Sequence, residues 1–92
     1  IASSVDTELN SYKNFEFSVI PNPSDGIFKI ESKTPVGNCM LEIYNLNGVL
    51  LYKKNLHKGR AELNISDFNK GVYVLKVTGK KGREYRDRVI IK

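Results

Sequence analysis

The 92 residues include one cysteine, one histidine, one methionine and no tryptophan. With Cys39 alone, there is no internal disulfide and no thiol cluster for a metal, and the redox compartment stays open. His57 lies between Leu56 and Lys58 in a polar stretch. No partner stands at metal-ligand spacing from it, so a solvated imidazole is expected. No apolar run approaches the roughly 20 residues a membrane-crossing helix takes. The first residues, Ile1-Ala2-Ser3-Ser4-Val5-Asp6, have neither the basic start nor the hydrophobic stretch of a signal peptide. They also lack an initiator methionine, and we expect a piece of a longer protein with any export signal upstream. Nor is there a convincing helical period. Catalytic groups are equally sparse: Cys39 falls on the apolar side of an alternating run, where an inert thiol is expected. Asp25, Asp67 and Asp87 are isolated carboxylates, too few for a calcium site. No cofactor or metal is implied.

Hydrophobic residues make up 40% and charged residues 27%, the composition of one ordinary globular domain. The net charge of +5 is uneven: residues 1–46 carry three basic and six acidic side chains, residues 47–92 twelve and four. The basic residues alternate with apolar ones, as at Arg86, Arg88 and Lys92. A solvated strand face explains that pattern better than a polyanion-binding patch. Residues 1–14 are polar and aperiodic and read as a linker from an upstream domain; the domain proper is expected over 15–92.

Phe15-Glu16-Phe17-Ser18-Val19 alternates and reads as a first strand. Pro21-Asn22-Pro23-Ser24-Asp25-Gly26 stops it with a stiff corner. Gly26–Ser32 follows with Phe28 and Ile30 inward, then Cys39–Tyr44 with Cys39, Leu41 and Ile43 on one face. Asn47-Gly48 signals a type I′ hairpin, with a return strand over Val49–Tyr52 and a polar loop from Lys53 to Gly59. Arg60–Ile65 alternates again. Asn69-Lys70-Gly71-Val72-Tyr73 reads as a corner opening a strand: the glycine takes a backbone angle that branched residues resist, and the Tyr73 hydroxyl reaches back to the corner backbone. A glycine-bounded turn at residues 78–82 leads to a last strand through Val89-Ile90-Ile91-Lys92. About seven short strands predict an immunoglobulin-like antiparallel β-sandwich without a disulfide. Tyr44, Tyr52 and Tyr85 are candidates for an exposed stacking surface. A β-sandwich adhesion or carbohydrate-binding module is the alternative reading.

The order of motifs is more specific than any one of them. Val19–Phe28 around Pro-Asn-Pro-Ser-Asp-Gly, Leu41–Gly48, Ile65–Tyr73 and the terminal Val89–Lys92 together resemble the type A C-terminal sorting domain of the type IX secretion system. The resemblance covers residues 17–92, with Phe68 where the family more often has leucine. It implies a secretion signal, not an enzyme, that directs its cargo across the outer membrane. The implied partners are the type IX translocon, an outer-membrane shuttle protein and a sortase-like cysteine peptidase that removes the domain; nucleic acid is not among them. The cargo would pass through the periplasm and end at the cell surface or outside the cell. The residues on which the resemblance places recognition are Pro21, Asn22, Pro23, Gly26, Gly71, Tyr73, Val89, Ile90, Ile91 and Lys92. Val89–Lys92 is expected to be both closing strand and recognition element, and the terminal strand is the natural candidate for extension by a partner strand, although the sequence leaves open whether it lies at a sheet edge.

Overall fold

The alternating segments become seven strands in the computed structural model, which describes residues 15–92; the expected linker, residues 1–14, lies outside the described residues. The strands are β1 (Phe17–Ile20), β2 (Ile27–Ser32), β3 (Cys39–Tyr44), β4 (Leu50–Leu56), β5 (Arg60–Asn64), β6 (Gly71–Thr78) and β7 (Glu84–Ile91). They form a three-stranded sheet in the order β1-β2-β5 and a four-stranded sheet in the order β4-β3-β6-β7. Every neighbouring pair is antiparallel.

The period-two pattern directs alternate side chains between the sheets. Phe28, Ile30 and Leu63 from one sheet meet Leu41, Ile43, Leu75, Val77 and Val89 from the other, each almost wholly removed from solvent. Burying one such side chain stabilises the fold by about 1.5–3 kcal/mol. Leu75 follows Tyr73 where an antibody domain would place a cysteine, and it is fully buried. Packing therefore fills the position that a disulfide would otherwise bridge. Cys39 is also in this core, free and buried.

Two local expectations are corrected. Lys53–Leu56 is strand, not loop, because β4 is an edge strand. Its core-facing side needs only Tyr52 and Leu56, and lysines along the rest discourage unwanted pairing at an edge. The β3–β4 hairpin is not type I′, which requires two positive-φ residues. The Gly48 N–H donates to the Asn45 carbonyl at 3.0 Å, and of Asn47 and Gly48 only Gly48 has positive φ. The Asn45 side chain takes over, accepting from the Asn47 and Val49 amides at 2.9 Å each. A register shift between Ile43 and Tyr44 accompanies this turn.

The connections sort to two ends. β1 runs away from the end where the chain enters at Phe15, and successive antiparallel strands return the chain alternately. One end holds the connections over residues 33–38, 57–59 and 79–83. The other holds the corner at 21–26, the turn at 45–49, the crossover at 65–70 and Lys92.

Candidate functional site

All four motif stretches lie at that second end, and most are tied together by hydrogen bonds. β7 pairs with β6 on one side only, so it is a sheet edge. Its even-numbered residues turn their backbone groups outward, as the alternating antiparallel ladder requires. The corner fills those positions. The Asn22 carboxamide donates from Nδ2 to the Arg88 carbonyl at 2.8 Å, and its Oδ1 accepts the Ile90 amide at 3.0 Å. Ser24 continues the pairing with its backbone: its N–H donates to the Ile90 carbonyl at 2.9 Å, and its carbonyl accepts from the Lys92 amide at 2.8 Å. Ser24 and Ile91 thereby form a parallel bridge. The edge of β7 is thus covered from Arg88 to Lys92, and only its Glu84–Arg86 half is left for another strand.

The corner is joined next to the crossover. The Gly26 carbonyl accepts the Ile65 amide at 2.7 Å, and Ser24 Oγ accepts the Gly26 amide at 3.1 Å. Gly26 has φ +105°, and a Cβ there would stand 2.6 Å from the Ser66 Cα. Both the angle and the close approach require glycine. Both X–Pro bonds of the corner, Ile20-Pro21 and Asn22-Pro23, are cis. The tyrosine corner forms as expected: Tyr73 Oη donates to the Asn69 carbonyl at 2.5 Å, and its ring packs on Phe68, with centroids 5.3 Å apart. Gly71 opens this strand at φ +154°, and no atom lies within 4 Å of where a Cβ would stand, so its constraint is conformational.

The outer face of the four-stranded sheet continues the site. The turn at 45–48 overhangs a groove of about 400 Å³ whose lining includes Tyr44, Val74, Lys76 and Arg86. Glu84 bridges the two cations, with Arg86 Nε at 2.7 Å and Lys76 Nζ at 3.6 Å. The Arg86 hydrogen bond holds the Glu84 carboxyl below its ordinary range. Desolvation, then a hydrogen bond to Glu42, raises Tyr44. The candidate stacking surface is not assembled. Tyr52 and Tyr85 pack against the core, while Tyr44 lies on the opposite face. Tyr85 tilts on Phe17 at 5.5 Å and donates to Asp87 Oδ2 at 3.0 Å.

Pro21, Asn22, Pro23, Gly26, Gly71, Tyr73 and Val89–Lys92 therefore occupy one end, but in different ways. Val89 and Ile91 are core residues, whereas Pro21, Asn22, Pro23 and Lys92 are exposed. Ser24 stands in the first motif but is not among the residues on which the resemblance places recognition, and nothing in the motif hints that its backbone pairs with the terminal strand. Its Ser-Asp-Gly context signals a turn and nothing about a strand 66 residues on. The large exposed hydrophobics among the described residues (Ile20, Ile27, Leu46, Val49, Leu50, Leu51 and Val72) all lie at or near this same end. No group of three or more possible metal ligands occurs among the described residues. No helix among them is long and apolar enough to cross a membrane.

These features define a disulfide-free immunoglobulin-like sandwich whose terminal strand is held by a corner from the opposite sheet. A solved immunoglobulin-like β-sandwich, a DUF3244-family protein from Bacteroides vulgatus, matches the fold with a TM-score of 0.71 and 14% identity over 87% of each chain. The family model described as the secretion system C-terminal sorting domain matches residues 18–92. The chain belongs to this family, the C-terminal sorting domains of type IX secretion. It is similar to an endo-acting ulvan lyase of Formosa agariphila, 27% identical over 97% of this chain, and to an ulvan lyase of Nonlabens ulvanivorans, 26% identical over 90%. A funoran endo-beta-hydrolase of Wenyingzhuangia aestuarii is 33% identical over 62% of this chain. The match spans 17%, 16% and 8% of these three proteins respectively.

Proposed function

We propose that the chain is the export address of a larger protein, read at its motif end by the type IX translocon and an outer-membrane shuttle protein. A sortase-like cysteine peptidase then cuts within residues 1–14, so the domain is a substrate and performs no chemistry. The cargo passes through the periplasm to the cell surface or the medium. The observation that carries this reading is the convergence of four separated stretches, 21–26, 45–48, 65–73 and 89–92, on one end of a domain of the sorting family. Exposed apolar side chains at that end suit contact with another protein.

The test fuses residues 1–92 to an inert reporter behind a periplasmic export signal in a type IX-competent host. The reporter is expected at the cell surface or in the medium, shortened by removal of the domain. A folded fusion retained in the periplasm would overturn the export reading. An exported fusion that keeps its tail would overturn only the cleavage step.

A further inference from the structure

The end opposite the motifs is basic in an unusual way. Two reverse turns there have the same sequence, Lys-Gly-Arg, at 58–60 and 81–83. In the first, the Arg60 amide donates to the His57 carbonyl at 3.2 Å; in the second, the Arg83 amide donates to the Lys80 carbonyl at 3.3 Å. Both central residues of each turn have positive φ: Lys58 at 53° and Gly59 at 75°, Lys81 at 61° and Gly82 at 73°. The first central position of such a turn favours asparagine, aspartate or glycine. Lysine stands there twice, against conformational preference, which points to a use for its charge.

The connection over residues 33–38 lies between the two turns. Asn38 Oδ1 accepts the Lys58 amide at 3.2 Å, and the Lys80 ammonium lies 3.9 Å from where a Cβ on Gly37 would stand. Lys33, Lys58 and Arg60 line a shallow hollow of about 380 Å³ beside it. Among the described residues, Lys33 meets Glu16 at 3.8 Å, both well exposed, and no ion pair engages Lys58, Arg60, Lys80 or Lys81. Glu31 is the one acidic residue among the described residues lining the hollow.

We infer that this end docks on a bilayer surface bearing anionic phosphate headgroups, a role separate from the reading of the motif end. Charge complementarity identifies the occupant. The cations are spread across the blunt end of the sandwich, as a planar anionic surface requires. The aromatics near them, Phe15, Phe17 and Tyr85, are buried or half-buried, so no open ring face is offered to a sugar or a base. The exposed large hydrophobics lie towards the other end, so the association is electrostatic, without the apolar insertion of an interfacial helix.

The test measures cosedimentation of the 92-residue chain with vesicles of phosphatidylglycerol and phosphatidylcholine, and with phosphatidylcholine alone. Binding is expected on the mixed vesicles at low salt, with release as ionic strength rises. Lys58→Asn and Lys81→Asn suit the turn geometry better and should melt no lower than the parent. Each should nevertheless weaken binding about five-fold, and together about twenty-five-fold. Lys58→Arg and Lys81→Arg should keep it. Equal binding to neutral vesicles, unchanged binding by the asparagine variants, or tighter capture by soluble heparin than by the vesicles would each overturn the proposal.

Discussion

At the scale of single residues, Gly26 and Gly71 separate two reasons for glycine. Gly71→Val meets no neighbour but must hold φ near +154°, a strain of roughly 1–3 kcal/mol. Gly26→Ala adds to such strain a contact with the Ser66 backbone that cannot swing aside, and should cost roughly 2–5 kcal/mol. Thermal melts should rank Gly26→Ala below Gly71→Val, and Tyr73→Phe should cost least, about one hydrogen bond. The reverse order of the two glycine variants would reject the close approach at Ser66. Cys39 makes a separate case. Burial raises its thiol pKa, against a smaller lowering by Arg83, so little thiolate forms near neutral pH. Thiol reagents should label it slowly in the native protein and rapidly in denaturant; fast native labelling would place it outside the core. Tyr85, pushed up to about 12 by burial and by Asp87, acts at alkaline pH. Its folded pKa lies above its unfolded value, so the stability it contributes is fully present below about pH 10 and is lost as pH rises towards 12. Tyr85→Phe should flatten that alkaline decline in a denaturation series, and an unaltered decline would assign it to another group.

Among the elements, the terminal strand and the corner form one unit, and this was the least legible part of the sequence. Alternation identified β1, β2, β3, β5 and β6 because each lays apolar residues against the core at every second position. Alternation shows only the first half of β4, since an edge strand meets the core through Tyr52 and Leu56 and leaves Lys53, Lys54 and Asn55 to solvent. The partners of Asn22 lie 66 and 68 residues away. Hydrophobic periodicity carries no trace of a side chain that completes a sheet edge at such a distance. The resemblance named both motifs without showing that they touch. Asn22→Ala should remove the two side-chain bonds and cost roughly 1–2 kcal/mol. It should also bare the backbone of Arg88 and Ile90, so faster amide exchange at Ile90 and concentration-dependent association are expected. Asn22→Asp retains an acceptor for the Ile90 amide and should restore its protection in part, without restoring the bond to Arg88. Unchanged exchange at Ile90 in the alanine variant would show that the Ser24 backbone alone holds the edge.

Over the whole molecule, chemistry is divided between two ends: apolar side chains and motifs at one, lysines on strained turns at the other. This division allows export to be separated from folding. Leu46, Val49 and Val72 are exposed near the motif end at 71%, 52% and 38%, so the core does not depend on them. Changing them together to Leu46→Ser, Val49→Thr and Val72→Thr should shift stability by less than about 1 kcal/mol, as surface substitutions do. If a partner covers them, each loses about 1 kcal/mol of buried apolar contact, and the sum weakens recognition about a hundred-fold. The reporter fusion carrying the three changes should therefore melt like the parent yet accumulate in the periplasm. The same fusion with Lys58→Asn and Lys81→Asn should still leave the cell, because those positions lie at the far end. Undiminished export of the triple variant would remove the apolar patch from recognition and confine reading to the backbone-clamped strand, where Asn22→Ala is the variant expected to fail. Loss of export in the lysine variants alone would instead place the recognition surface at the end where the reporter is joined.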